Sequence, residues 1–305
     1  MLDVRRLVFL REVQLRGSIT AAAQALSYTH SAVSQQLTLL EREAGVSLLE
    51  KVGRGVRLTP AAVELVHHAE GILAILERAE ADLAASDTQV RGLVRLGAFS
   101  TISRHAVPRV IGALRAQHPA LEIRYQGVEP EEGLLLLSSR RIDVVVADSY
   151  PGSSEGIPGG LHADLLMDDA VHAYLPLGAD VGTLSELQRL KWVLEPSGSE
   201  AHAWVRRLCL QHGFEPDAAY ESADLLFHVR MVEAGLAAAF LPDLLVRGEG
   251  VRLEPSALLG THQRRQISLI CRSGAERRPA VAACRQAFAA SLGGLEARGP
   301  TRSDL

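Results

Sequence analysis

Over the first ninety positions apolar residues recur with the period of a helix, and beyond residue 91 they fall into short blocks alternating with helical stretches. Leu7, Leu10 and Val13 place one face of a helix over Leu2 to Arg16 against a core. From Gly17 to Leu58 the pattern predicts two short helices, a tight turn and a small hairpin. Ser18 stands at an N-cap, and Ala21, Ala22, Ala23 and Ala25 make a thin helix that a second helix can cross closely. Ser27 to His30 is the polar break. The second helix starts at about Ser31, with Val33, Leu37, Leu40 and Ala44 on its buried face, and Gly45 ends it. Ser47 to Lys51 and Val56 to Leu58 then flank the tip Gly53-Arg54-Gly55. Thr59-Pro60 opens a long helix that runs to about Ser86. Its residues Leu65, Ala69, Ile72, Leu76, Ala79 and Leu83 alternate by four and three, the repeat of a two-stranded seam, and a helix of that length has no evident place to bury such a stripe within one subunit. Dimerisation through that seam is the expectation.

From Gly92 the period changes. Strands are predicted at Leu93 to Phe99, Leu121 to Val128 and Ile142 to Ala147, with helices at Ser103 to His118 and Glu131 to Ser139 between them. Such alternation implies right-handed βαβ units and a parallel sheet. A second set begins near Leu161: strands around Leu165 and Ala173, a helix at Ser185 to Leu190, a strand at Lys191 to Leu194, helices at His202 to His212 and Leu225 to Ala234, and a buried strand at Leu236 to Leu241. A last strand, Gln266 to Cys271, and helix, Pro279 to Leu292, return to the first lobe. The fold class is α/β overall. The expected domains are a winged helix-turn-helix over 1–59 (helix-turn-helix at about 18–37), a linker helix and hinge over 60–90, and a ligand-binding domain over 91–295. Its lobe I comprises about 91–160 and 266–295, its lobe II about 161–265, and 296–305 is a flexible tail.

Charge divides the chain. Residues 1–59 carry eight Lys or Arg against five Asp or Glu, net +3, whereas the remainder nets −7. A basic head on an acidic body suits phosphate binding at the head. Outward Ser31, Ser34, Gln35 and Thr38, with His30, are the short hydroxyls, amides and imidazole that reach base edges in a major groove. A solvated polar face is the plainer reading of that helix taken alone. The glycine-flanked Arg54, able to approach a phosphate or enter a minor groove, shifts the balance toward a winged DNA-binding unit.

Leu2 to Thr59, with AAAQALS, SAVSQQL, LERE and GVSLLEKVGRGVRLTPA, resembles the N-terminal domain of the LysR-type transcriptional regulators. It departs from that pattern at His30-Ser31, Gln35, Leu49 and Lys51, where Gln-Pro, Arg, Phe and Arg are usual. The resemblance implies major-groove contacts by His30, Ser31, Ser34, Gln35 and Thr38, phosphate contacts by Ser18 and Thr20, and a wing contact by Arg54. It also implies a periplasmic-binding-protein-like sensor domain, a double-stranded DNA operator, a small-molecule effector, a homodimer that pairs into a homotetramer, and RNA polymerase as a partner. Ligands in open α/β sheets sit at the carboxyl ends of strands. That rule selects Ser100 and Thr101 after the first strand, Glu129 after the second, Asp148 and Ser149 after the third, and the turn Ser197 to Ser199, and the resemblance puts Ser100, Thr101 and that turn on the effector cleft. Helix capping by the same residues is the competing account.

Other chemistry is weakly encoded. Gly152-Ser153-Ser154-Glu155-Gly156 matches a nucleophile elbow, but Ile157-Pro158-Gly159-Gly160 cannot open the helix that motif needs. His67 and His68 point to different faces of a helix, and Cys209, Cys271 and Cys284 are too scattered for a zinc site or disulfide framework. No metal, cofactor or catalytic residue is expected. No apolar run approaches the roughly 20 residues of a membrane span, no secretory signal is evident, and a cytoplasmic location follows. An enzyme whose two-lobed domain is tethered to a DNA-binding head is the rival reading, and an effector-independent structural DNA binder is a third.

Overall fold

The computed structural model describes residues 1–53, 55–87, 89–152, 156–260 and 263–296. Helix α1 (Val4–Arg16) begins at Asp3, whose carboxylate accepts from the Arg5 amide. Helix α2 (Ile19–Leu26) begins at Ser18, whose Oγ accepts from the Ala21 amide at 3.1 Å. Helix α3 (His30–Ala44) is capped by Thr29, so His30 is its first residue and not part of the break before it. Leu7, Leu10, Val13, Ala22, Val33, Leu37 and Leu40 close a shared core. The hairpin of β1 (Leu49–Val52) and β2 (Gly55–Leu58) pairs Leu49 with Leu58 and Val52 with Gly55. Glu41 Oε1 accepts from the amides of Leu48 and Leu49, which ties this wing to α3.

Helix α4 (Pro60–Ala85) starts on a Thr59 cap with proline in its first turn. It has two apolar faces. One, formed by Ala62, Val66, Ala69, Leu73, Glu77 and Ala81, is buried within the chain. The other exposes Val63, Ile72, Ile75, Leu76 and Leu83. The predicted seam is corrected accordingly: Ala69, and in part Leu65, belong to the head's own core, while Ile72, Leu76, Ala79 and Leu83 face solvent. A heptad reading follows one stripe and cannot detect a second offset by a residue or two.

The remainder comprises β3 (Gly92–Ala98), α5 (Ser100–His105), α6 (Val107–Gln117), β4 (Leu121–Gly127), α7 (Pro130–Ser138), β5 (Val144–Ser149), β6 (Leu161–Tyr174), α8 (Leu184–Leu187), β7 (Lys191–Leu194), α9 (Glu200–Gln211), β8 (Asp217–Glu221), α10 (Leu225–Glu233), β9 (Ala239–Pro242), α11 (Asp243–Gly248), β10 (Arg264–Arg272) and α12 (Pro279–Glu296). Six strands form one sheet in the order β4-β3-β5-β10-β6-β9. The pairs β3–β4 and β3–β5 are parallel, whereas β10 runs antiparallel to both β5 and β6. The sheet is thus mixed, not parallel throughout. Strands β7 and β8 form a parallel pair, joined toward β9 by a bridge between Trp192 and Ala238.

Several predicted elements are redrawn for identifiable reasons. The helix expected over Ser103 to His118 is two, broken at Ala106, because Pro108 lacks an amide and its ring disfavours a continuous helix. The strands expected around Leu165 and Ala173 are a single strand of 14 residues. The strand runs through Asp168 and Asp169 because the neighbouring Arg265 pairs with Asp169 within the sheet. Asp148 and Ser149 lie inside β5, paired with Ile267 and Gln266, and do not follow it. Strand β8, exposed along its whole length, and the short α11 have no apolar period and were not anticipated. Gly133 lets α7 lie close on the sheet: a Cβ there would come within 2.5 Å of a Val145 methyl carbon.

Candidate DNA interface and effector cleft

On α3, His30, Ser31, Gln35 and Thr38 are exposed and Ser34 is half-buried, opposite the buried line Val33, Leu37 and Leu40. Two of these hydroxyls already have local partners. Thr38 Oγ1 donates to the Ser34 carbonyl at 3.1 Å, and Ser31 Oγ lies 3.1 Å from Thr29 Oγ1. Thr20 is exposed at the start of α2, whereas Ser18 is half-buried with its hydroxyl engaged as the cap. Tyr28, which sequence reasoning passed over, is exposed in the turn before α3 and stands edge-on to Phe9, ring centres 5.2 Å apart. Arg54 lies outside the described residues, as do Ser153 to Glu155 of the elbow-like motif and the tail from 297 onward.

The lobes enclose a cavity of about 250 Å³. Strand ends and helix starts build it: Ser100 after β3, Glu129 to Glu131 at the start of α7, Asp148 at the end of β5, Glu195, Pro196 and Gly198 to Ala201 between β7 and α9, and Leu225 at the start of α10. Arg265 of β10 closes the floor. Ser100, Glu129, Asp148 and Ser199 are therefore brought together. Thr101 and Ser197 are not. Thr101 is turned into the protein, its Oγ1 without a hydrogen-bond partner, because consecutive residues of a helix point to different sides. Ser197 is exposed beside the cavity, its amide 3.4 Å from Glu221 Oε2. Ser199 also caps α9, its Oγ accepting from the His202 amide at 3.1 Å, so part of the capping account holds.

Sequence reasoning missed Glu131, Glu195, Glu200 and Arg265. Arg265 is fully buried. Its Nε and Nη2 donate to Asp169 Oδ2 at 3.0 and 2.8 Å, its Nη1 donates to Asp148 Oδ2 at 2.9 Å, and its guanidinium carbon lies 5.2 Å from the centre of the Phe99 ring. Burial by itself would lower the Arg265 pKa, but Asp169, Tyr150 and Asp148 outweigh it and the group is held charged. Around it the carboxyl groups are hard to ionise. Burial, then Asp148, pushes Glu195 up to about 8; burial, then Asp148 and the glutamates of α7, raises Glu129; burial raises Asp148 against the pull of Arg265. No local signal marks Arg265, which meets Asp148 and Asp169 only because β10 pairs with both β5 and β6.

Between head and cleft the chain is joined by buried polar contacts. Arg272 of β10 donates through Nε to Glu77 Oε1 of α4 at 2.7 Å, through Nη1 to the Ile142 carbonyl at 2.8 Å and through Nη2 to Asp143 Oδ1 at 3.2 Å. Arg140 adds a second ion pair to Glu77 at 3.0 Å. Gly274, at φ +98°, sits where a Cβ would fall 2.4 Å from the Ala74 carbonyl oxygen, so the turn after β10 lies flush on α4. The head touches lobe I as well: Arg11 donates to the Ser138 carbonyl, and Arg16 to the Leu135 carbonyl at 3.1 Å.

A winged helix-turn-helix joined by a long helix to a two-lobed, cleft-bearing α/β domain defines a DNA-binding regulator with a ligand-binding domain. Two family models match the chain: the bacterial regulatory helix-turn-helix protein of the lysR family over residues 4–63, and the LysR substrate binding domain over residues 87–293. The chain belongs to the LysR family of transcriptional regulators. Among similar proteins, the transcriptional dual regulator GltC of Bacillus subtilis is 26% identical over 79% of this chain and 81% of its own length. The uncharacterized HTH-type transcriptional regulator YeiE of Escherichia coli is 30% identical over 69% of this chain and 70% of its own length. Among solved structures, full-length BenM covers 99% of this chain with all of its own (TM-score 0.54, 20% identity). HinK, a LysR family transcriptional regulator from Pseudomonas aeruginosa, covers 97% of this chain with all of its own (TM-score 0.55, 20% identity). Those two likenesses are of fold. No helix among the described residues is long and apolar enough to cross a membrane.

Proposed function

We propose that the cavity between the lobes is the effector site, and that its occupancy controls how paired heads engage an operator. The observation that carries this reading is the continuity of structure from cleft to head. The cavity floor and the Glu77 ion pair are both built on β10, through Arg265 and Arg272. A ligand with different affinities for two lobe arrangements shifts their populations, and a strand shared with the linker-helix contact passes that shift on. His30, Ser31, Ser34, Gln35 and Thr38 read the major groove; Ser18 and Thr20 meet the phosphates and Arg54 the backbone or minor groove; Ile72, Leu76, Ala79 and Leu83 pair two linker helices. Two heads on one dimer call for a roughly palindromic site. The protein regulates transcription in the cytoplasm, contacts RNA polymerase from its operator, and carries out no reaction on its effector.

Footprinting on DNA upstream of its own and adjacent genes tests the assignment. Ser34→Ala with Gln35→Ala abolishes the specific footprint while sedimentation still reports the oligomer. An unchanged footprint removes α3 from the interface.

A further inference from the structure

Ligand charge is not set by the fold, and in this cavity the walls specify it. Glu129, Glu131, Asp148, Glu195 and Glu200 all line it, and Arg265 is its one basic side chain among the described residues. That guanidinium is already spent on Asp148 and Asp169. Two amides at the start of α9 are also engaged: Glu200 N donates to Glu131 Oε1 at 3.3 Å, and His202 N donates to Ser199 Oγ. An anionic effector would thus enter a site with no free basic side chain among the described residues and a surplus of acidic ones.

One of these side chains, independently of the others, points to a missing partner. Glu195 is half-buried, and its carboxyl group lines the cavity. Among the described residues that group has no hydrogen bond and no ion pair, whereas Asp148 is held by Arg265, and Glu131 and Glu200 accept backbone amides. A half-buried acid that faces a cavity without a protein partner is left available to what enters. A metal ion is the wrong occupant: among the described residues no three His, Cys, Asp or Glu side chains converge as a metal requires. The charge is spread round the walls, which suits an extended molecule with several N–H donors.

Resting on the assignment of this cavity as the effector site, we infer that the effector is an organic cation, a small amine or guanidine compound whose ammonium or guanidinium group is received by Glu195, with Glu129 and Glu131 nearby. Because burial raises the Glu195 carboxyl toward neutrality, arrival of the cation expels its proton to solvent and leaves a charged pair.

Calorimetric titration of the full chain at pH 7 and fixed ionic strength tests this with 1,4-diaminobutane, agmatine and spermidine, against succinate, 1,4-butanediol and magnesium chloride. At least one amine binds and the three controls do not. Its heat varies with the buffer's ionisation enthalpy as proton release requires, and its affinity falls at least tenfold in Glu195→Gln and in Glu129→Gln. Binding of succinate, butanediol or magnesium in place of the amines overturns the cationic class. If Ser100→Trp, which fills the cavity, abolishes that binding, the cleft remains the effector site and only the class is wrong. Binding of an amine that survives Ser100→Trp places the site elsewhere and overturns both, as does no binding by any of the six.

Discussion

Glu77 and Arg272, 195 positions apart, meet as a buried ion pair between the linker helix and the last strand of the ligand-binding domain, with Nε donating to Oε1 at 2.7 Å. Both are nearly inaccessible, and Arg272 also satisfies the Leu137 and Ile142 carbonyls and Asp143. Burial alone would lower the Arg272 pKa, but Glu77 and Asp143 more than restore it, so the guanidinium is held charged.

Removing one partner of such a pair leaves an uncompensated buried charge, which costs about 3–5 kcal/mol. Arg272→Met is expected to destabilise the full chain by that order in chemical denaturation. Glu77→Gln, which keeps shape and hydrogen bonding, should cost less. If Arg272→Met has the stability of the parent, the pair contributes nothing to the junction.

The second apolar face of α4 gives a sharp contrast between neighbours. Ile72→Glu with Leu76→Glu places charge on exposed positions and is expected to turn the oligomer into a monomer in sedimentation velocity, with the apparent melting temperature falling only as far as lost association requires. Leu73→Ala, one residue away but buried, instead costs about 2–5 kcal/mol of folding stability. An unchanged sedimentation coefficient for the double glutamate variant would remove the seam.

Stability should fall as pH rises through neutrality, the reverse of the usual carboxylate effect. Glu195 titrates near 8 in the folded protein because of burial, then Asp148, Glu129 and Glu131, with Arg265 opposing, whereas in the unfolded chain it titrates at the ordinary 4.5. Between those values the native state holds a proton that the unfolded state has released, so raising pH across the window favours unfolding. Glu195→Gln should flatten the slope of melting temperature from pH 5 to 8.5 and be the more stable protein at pH 8.5. Glu129 and Asp148 are raised as well, so a residual slope remains.

Cys209, Cys271 and Cys284 are buried, and burial pushes each thiol up to about 12. Thiolate is the reactive form, so these groups are inert while the chain is folded. Iodoacetamide at pH 8 should label fewer than one thiol per chain natively and all three in denaturant. Millimolar peroxide should leave the operator footprint unchanged, and a peroxide-dependent footprint would reverse that view.

The helix-turn-helix was legible in the sequence because its determinants are local: Ser18, the alanine run, the apolar period of α3 and Gly45 each act within a turn of themselves. The alternation of strands and helices, and Ser100, Glu129 and Asp148 near strand ends, were legible for the same reason. Which strands run antiparallel was not, since β10 inserts between β5 and β6 from far along the chain. The linker helix showed one stripe and concealed the other, because burial on a distant turn at Gly274 has no local signature. Glu195 and Arg265 carry no motif at all. The sequence alone determined that the chain reads DNA and that a two-lobed domain follows, through periodicities and caps that local backbone chemistry enforces. Only the tertiary structure decided the character of the cleft, because its carboxylates come from three separate segments, the start of α7, the end of β5 and the turn between β7 and α9, and become neighbours that are hard to ionise only when the chain is folded.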